Sequence, residues 1–305
     1  MEGIIPLWKP RGMTSHDCVF RLRKILKTKK VGHSGTLDPD VDGVLPICVG
    51  KATKVVEYLQ ESNKLYVGEI TLGFSTETED ASGEIVAKSP ITKPLTEKEI
   101  DEAMLSFTGD IQQIPPMYSA VKVNGRRLYD YARKGESVER PVRQTVIHRY
   151  KRISQPIFSE ETQTQSWKFE VDCAKGTYVR TLAVDTGKKL GYEAHMSDLT
   201  RLSSGGFDAK EAITLEKVRE LVEGNRLSEI FYPLERAVET FPKKILTSDE
   251  YQVIKNGLVM PDSFFAEYDD TQLIALFYHQ QLVSLYGKHP SKPGLFKPIK
   301  VIRND

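Results

Sequence analysis

The chain has 305 residues, of which 39% are hydrophobic and 28% charged, with a net charge of +1; these figures exclude long disorder and suit one large domain plus a small one. Three scattered cysteines, Cys18, Cys48 and Cys173, argue against a disulfide framework or a zinc site and read as small buried hydrophobes. No apolar run reaches the roughly 18–20 residues of a membrane span and none of signal-peptide length opens the chain, so a cytoplasmic protein is expected. In chain order, Thr14 or Ser15 caps a helix that continues to Leu26, with Val19, Leu22 and Leu26 on its buried face. The segment VGHSGTLDPDVDGVLPICVG that follows is rich in glycine and holds Pro39 and Pro46, which reads as a loop. From Leu65, Tyr66, Gly68, Ile70 and Leu72 alternate with Val67, Glu69 and Thr71 as a strand. TETEDASGE is a polar turn. Thr96 with Glu99 forms a capping box before a helix carrying Ile100, Ala103, Met104 and Phe107, and IPPMY ends it.

Residues 118–145 are polar, basic and dotted with tyrosine, an excursion from the core. Trp167, Phe169, Val171 and Cys173 alternate with polar residues as a half-buried strand. AKGT turns into a helix, YVRTLAVDTGKKL, which Gly191 ends, and a further helix covers about 214–223. Beyond Pro242 the chain is short-patterned and strand-prone. The expectation is an α+β fold with a mixed or largely antiparallel sheet over residues 1–242 and a small, mostly β domain over 243–305. No GxGxxG follows a strand and no Walker sequence is present, so a nucleotide cofactor is not suggested.

The near-neutral net charge hides an uneven distribution. Residues 1–54 hold ten Lys/Arg against five acids, and residues 118–145 hold seven against three. Such blocks are either solvated faces or local surfaces for a polyanion. The Gly-rich segment also spaces Asp38, Asp40 and Asp42 by two, with His33 nearby. A calcium loop uses that spacing but needs a later Glu, and here the chain runs into Val-Leu-Pro instead. Asp38 before Pro39 equally reads as a turn former.

GHSGTLDPDVDGVLP resembles the signature of the TruB-type pseudouridine synthases, G-x-x-G-T-L-D-P-x-x-x-G-V-L-P. KPRGMTS at 9–15, KLYVGEITLG at 64–73, TETEDASG at 76–83, FTGDIQQIPPMYSAVKVNGRRLYDYAR at 107–133, GTYVRTLAVDTGKKLG at 176–191 and AHMSDLTRL at 194–202 are similar to further family segments, in family order. The resemblance covers roughly residues 3–210. It implies a pseudouridine-synthase catalytic domain that isomerises one uridine in the TΨC loop of tRNA (position 55). It also implies base flipping, a possible role in tRNA folding, no cofactor and no metal. The family often ends in a small RNA-binding PUA domain, a role that 243–305 would fill. Residues 118–145 correspond to a mobile, thumb-like RNA-binding insertion, which implies direct reading of tRNA without a guide RNA, by a monomer.

The same resemblance assigns the site. Asp38 falls on the catalytic aspartate. Arg180, from GTYVR, is its implied ion-pair partner, and Tyr66 is implied to stack on the target base. Tyr178 and Leu199 correspond to pocket walls. Asp80 is implied to fix Arg180 or a loop, and His33 to neighbour the flipped nucleotide. Lys9 is set beside the substrate-side residues as support for the catalytic loop. Arg126 and Arg127, in the most basic part of the excursion, are expected to face tRNA phosphate; solvation or pairing with Asp130 and Glu136 is the alternative for these two.

Overall fold

GIIPLWK is apolar at nearly every position, and the computed structural model, which describes residues 1–268 and 273–304, buries it as β1 (Gly3–Lys9) at one edge of the main sheet. The other long strands of that sheet are β2 (Asp42–Val49), β3 (Lys64–Leu72), β4 (Gly109–Gln113), β5 (Arg143–Arg152), β6 (Thr164–Cys173) and β7 (Ala194–Ser204). Their order is β1-β2-β7-β3-β6-β5-β4. Neighbours run antiparallel except β7 and β2, which are parallel with Thr200 opposite Asp42. The fold is therefore α+β with a mixed, largely antiparallel sheet, as expected.

The alternation read in 65–72 and 167–173 follows from this arrangement. Tyr66, Ile70 and Leu72 of β3 and Trp167, Phe169 and Val171 of β6 turn to one buried face, with Tyr66 opposite Val171. Helices α2 (Glu97–Leu105) and α3 (Val179–Leu190) cover that face. On the N-terminal half, α1 (Ser15–Ile25) and α4 (Leu215–Glu223) pack Leu22 and Val218 against Leu7 and Leu45 of β1 and β2. The caps are local: Thr14 pairs with Asp17, Thr96 with Glu99, and Gly191 ends α3 in the left-handed region at φ 84.

Three expectations need correction. The segment 31–50 is not one loop: Val31–His33 and β2 are both strands, and only the stretch around Asp38 is irregular. Pro6 and Pro46 face each other between β1 and β2 at a position where both carbonyls point outward, to Ile213 N and Ser34 N, so the missing N–H groups cost that ladder nothing. The basic excursion is shorter than 118–145, because Arg143 already belongs to β5. It folds as a hairpin, Lys122–Val123 with Arg126–Arg127, around Asn124 and Gly125 at φ 50 and 79, followed by a short helix at Leu128–Ala132. β1, β4, β5 and β7 were not anticipated. β7 lies inside the sheet, between β2 and β3.

The chain beyond Pro242 forms a second sheet of β8 (Lys243–Ile245), β9 (Met260–Pro261), β10 (Ile274–Tyr278), β11 (Gln281–Lys288) and β12 (Leu295–Val301), ordered β8-β10-β11-β12-β9. Residues 269–272 and 305 of the expected C-terminal span lie outside the described residues. One face of this sheet closes over Phe265, Tyr286 and Phe296 with α5 (Ser248–Ile254). The other face shares a core with the main sheet: Ala275, Phe277, Leu282 and Leu285 pack with Ile4, Val44, Cys48 and Val55. Arg303 adds ion pairs to Glu2 and Glu235, both at 2.7 Å. All three cysteines are buried and free, as read from their spacing.

Candidate active site

Asp38 stands on a tight turn, where Val41 N–H donates to the Asp38 carbonyl at 3.1 Å with Pro39 between them. Asp38 is thus a turn former, as its place before Pro39 suggested. KPRGMTS is the cradle of this turn. Lys9, at the end of β1, is fully buried, and its ammonium donates to the carbonyls of Pro10 (2.9 Å), Pro39 (3.0 Å) and Val41 (2.7 Å). Gly12 N–H donates to Pro39 O at 2.9 Å, and the buried Ser15 hydroxyl accepts from Leu37 N–H at 2.9 Å. Lys9 therefore supports the loop, its ammonium engaged by three carbonyls. Its burial lowers the ammonium pKa, with nearby groups including Asp42 and Asp38 opposing that fall.

Arg180, in the first turn of α3, donates from Nε to Asp38 Oδ2 at 3.0 Å. Its other nitrogens reach the carbonyls of Thr78 (Nη1, 2.9 Å) and Tyr118 (Nη2, 2.9 Å), and Asp80 Oδ2 lies 3.8 Å from Nη1. One buried guanidinium thus ties together the Asp38 turn, the 76–83 turn and the root of the basic excursion. Asp80 in turn accepts from the Thr78 hydroxyl (2.7 Å) and from Ser82 N–H (3.0 Å). Burial pushes the Asp38 carboxyl above the ordinary carboxylate range, the Arg180 charge pulls it down, and Asp80 pushes it up again. The Asp38 side chain keeps 40% of its surface exposed, so a ligand can reach it. Asp42 does not join it: on β2 it accepts from the Thr200 hydroxyl at 2.6 Å and from Arg11 at 3.3 Å.

Above the ion pair lies a cavity of about 460 Å³ whose walls include Asp38, Tyr66, Tyr178, Arg180 and Leu199. Tyr66 projects from β3, and burial raises its hydroxyl pKa against the opposing charge of Arg201. Leu199 comes from β7, which approaches β3 closely because Gly68 has no side chain: a Cβ there would stand 2.6 Å from Asp198 O and 2.9 Å from Leu199 Cδ1. Tyr178 caps α3, and the buried Gln113 side chain clamps its backbone, accepting from Tyr178 N–H at 2.9 Å and donating to Tyr178 O at 3.1 Å.

The structure thus brings Asp38, Tyr66, Tyr178, Arg180 and Leu199 around one cavity, with Asp80 behind Arg180 and Lys9 below the turn. It leaves three named residues outside. His33 sits on its short strand with Nδ1 at 3.0 Å from Gly35 O and does not line the cavity. Arg126 is paired with Glu136 at 2.8 Å and lies over the Tyr131 ring, and Arg127 bonds the Tyr129 hydroxyl at 2.5 Å. For Arg126 this matches the alternative of an internal ion pair. Two buried residues were missed from the sequence, Gln113 and Arg201. Both lie inside quoted motifs, yet a glutamine or arginine reads as surface unless its burial is known.

Residues 23–179 match the profile of the TruB family pseudouridylate synthase N-terminal domain, and residues 180–239 match that of the tRNA pseudouridylate synthase B C-terminal domain. The junction falls inside α3, so the two profiles describe parts of one sheet. The architecture is also that of a solved Cbf5–Nop10–Gar1 complex, at TM-score 0.74 and 28% identity over 99% of this chain and 86% of that one. A solved H/ACA RNP bound to a substrate RNA containing 2′-deoxyuridine aligns at TM-score 0.72 and 26% identity, over 99% and 86%. Fold and family profiles together are those of a pseudouridine-forming isomerase. Among sequence relatives, the tRNA pseudouridine synthase B of Bacillus pumilus is 51% identical over 100% of this chain and 99% of its own length. Those of Lactiplantibacillus plantarum (50%, over 99% and 98%) and Ligilactobacillus salivarius (52%, over 96% of each) are similarly close. The chain belongs to the TruB family of pseudouridylate synthases.

Proposed function

We propose that this protein converts one uridine in the TΨC loop of tRNA to pseudouridine, with Asp38 as the catalytic carboxylate. The observation that carries this reading is the Asp38–Arg180 ion pair at the base of a cavity walled by Tyr66, Tyr178 and Leu199, in a chain whose relatives are named for tRNA. The target base leaves its stack to enter the cavity, at a cost of about a few kcal/mol that contacts to the RNA backbone offset. Asp38 acts at the ribose as the N1–C1′ bond breaks, Tyr66 lies against the freed uracil, and the ring turns so that C5 joins C1′. C5 then loses its proton, and N1 ends protonated. The reaction is an isomerisation: no electrons are exchanged with a second molecule and no group departs, so the residues of the cavity suffice. Arg180 keeps one carboxylate oxygen oriented, while Asp38 Oδ1 has no hydrogen-bond partner among the described residues. The excursion after Tyr118, with Tyr129 and Arg133 beside the groove that leads to Asp38, holds the RNA without a guide strand, and the C-terminal sheet adds a PUA-like RNA contact.

The test is incubation of the pure protein with an unmodified tRNA transcript, followed by mapping of pseudouridine. One modified position in the TΨC loop is expected, and its formation should fall by at least about 10³-fold in Asp38→Asn, verified free of deamidated Asp. Product at another position, or turnover that survives in Asp38→Asn, contradicts the assignment.

A further inference from the structure

Arg201 is a buried cation without a counter-charge. It is 1% exposed; its Nε donates to Val44 O at 2.8 Å, and the guanidinium also lies within hydrogen-bonding reach of the neutral Tyr66 hydroxyl. Nη2 is buried with no partner, and no carboxylate of the described residues pairs with the guanidinium. Taking an arginine out of water without pairing it costs several kcal/mol, so a fold that retains one points to an anion that arrives later. A second orphan lies beside it. Ser34 is fully buried, and its hydroxyl also lacks a partner.

Both residues line a cavity of about 640 Å³ that adjoins that of Asp38 and shares Thr36, Tyr66, Arg143, Thr177 and Tyr178 with it as a common wall. Lys64 and Arg143 add positive charge to its lining. The Lys64 ammonium is held by Gln60 O (2.6 Å) and Ser62 O (2.5 Å), and burial with the Arg201 charge beside it lowers its pKa to about 8. Lys175 and Glu61, also at this cavity, pair with each other at 2.5 Å and cancel. Gly35 leaves the approach to Arg201 open: the nearest atom to a Cβ built there is Arg201 Nη1, at 3.9 Å.

We infer that this second cavity binds a phosphodiester of the substrate RNA directly flanking the target uridine, with Arg201 and Ser34 as its donors. A strand whose uridine enters the Asp38 cavity past Tyr66 and Tyr178 places a neighbouring linkage on the far side of the same wall. The phosphate supplies the missing counter-charge, and its arrival anchors the chain beside the extruded base. The inference rests on the RNA-modifying reading above.

The test uses an RNA stem-loop of the TΨC arm in which each of the linkages around the target uridine is replaced, one at a time, by a neutral methylphosphonate. At one linkage the replacement should weaken binding to the wild-type protein by about tenfold or more, because a charge-assisted contact is lost. Ser34→Ala should bind the unmodified stem-loop several-fold more weakly and lose less on that replacement. Its melting temperature should be equal or higher, since it removes a buried hydroxyl without a partner. Arg201→Lys keeps the charge without the planar fork and should show the same insensitivity. Equal affinity for all the neutral linkages, or Ser34→Ala binding like wild type, overturns the inference. Failure of the wild type to bind the all-phosphodiester stem-loop strikes instead at the proposed function.

Discussion

Asp38 is pulled in two directions, and the outcome is measurable. Burial and Asp80 raise its pKa, while Arg180 lowers it, and the net shift is upward. The acid limb of kcat/KM, which reports the free enzyme, should therefore sit above the ordinary carboxylate value of about 3.9. Asp80→Asn removes a neighbouring negative charge and should move that limb to lower pH; an unchanged midpoint would mean that the limb belongs to another group. The linkage to stability has the same sign. A carboxyl with a raised folded-state pKa stabilises the fold below the unfolded pKa and loses that contribution as pH rises through the folded one. At pH 7 the ionised Asp38 is thus a cost, so Asp38→Asn should melt at an equal or higher temperature than wild type. That advantage should vanish near pH 3, as thermal melts across the range would reveal.

At the scale of elements, the Asp38 turn depends on two strands that hold it from either side. β1 delivers Lys9, and β2 begins where β7 presses against it. A Cβ on Gly43 would stand 2.2 Å from Arg201 O, and its φ of +121 already suits glycine alone. Gly43→Ala should cost at least about 3 kcal/mol in urea unfolding. Gly176, at φ +80 with nothing within 4 Å, meets only the backbone penalty, so its Ala variant should cost about 1–2 kcal/mol. Equal costs would contradict the packing of β2 on β7. The hairpin at 122–127 makes a different prediction. Arg126 is engaged by Glu136 before any RNA arrives, so the Arg126→Ala, Arg127→Ala double variant should flatten the log-affinity against log-salt slope for tRNA by about one unit, not two. An unchanged slope would remove both arginines from the RNA face.

For the whole molecule, the second sheet is not an appendage. Its inner face completes the core around Ile4, Val44, Cys48 and Val55, and Arg303 ties the end of the chain to Glu2. A fragment ending at residue 242 exposes those side chains and should unfold at lower denaturant than the full chain, or aggregate. A fragment as stable as the parent would show that the shared core contributes little.

The sequence by itself determined the features whose causes lie within a few residues of one another. The capping boxes of Thr14 and Thr96 and the stop at Gly191 each depend on a single turn, and the alternation of β3 and β6 on a period of two, so they were legible before any coordinates. Asp38 and Arg180 were legible for another reason, through motifs that carry a family resemblance. The same resemblance implied their pairing, and the tertiary structure brings it about at 3.0 Å by docking α3 over β3 and β6. Tertiary structure alone decided that AHMSDLTRLSS, polar and without clean alternation, becomes an interior strand, since two register shifts against β3 break its period. Lys9, Gln113 and Arg201 follow the same rule. A polar side chain carries no local mark of burial; only the carbonyls, amides and cavities that distant segments bring to it make its burial possible.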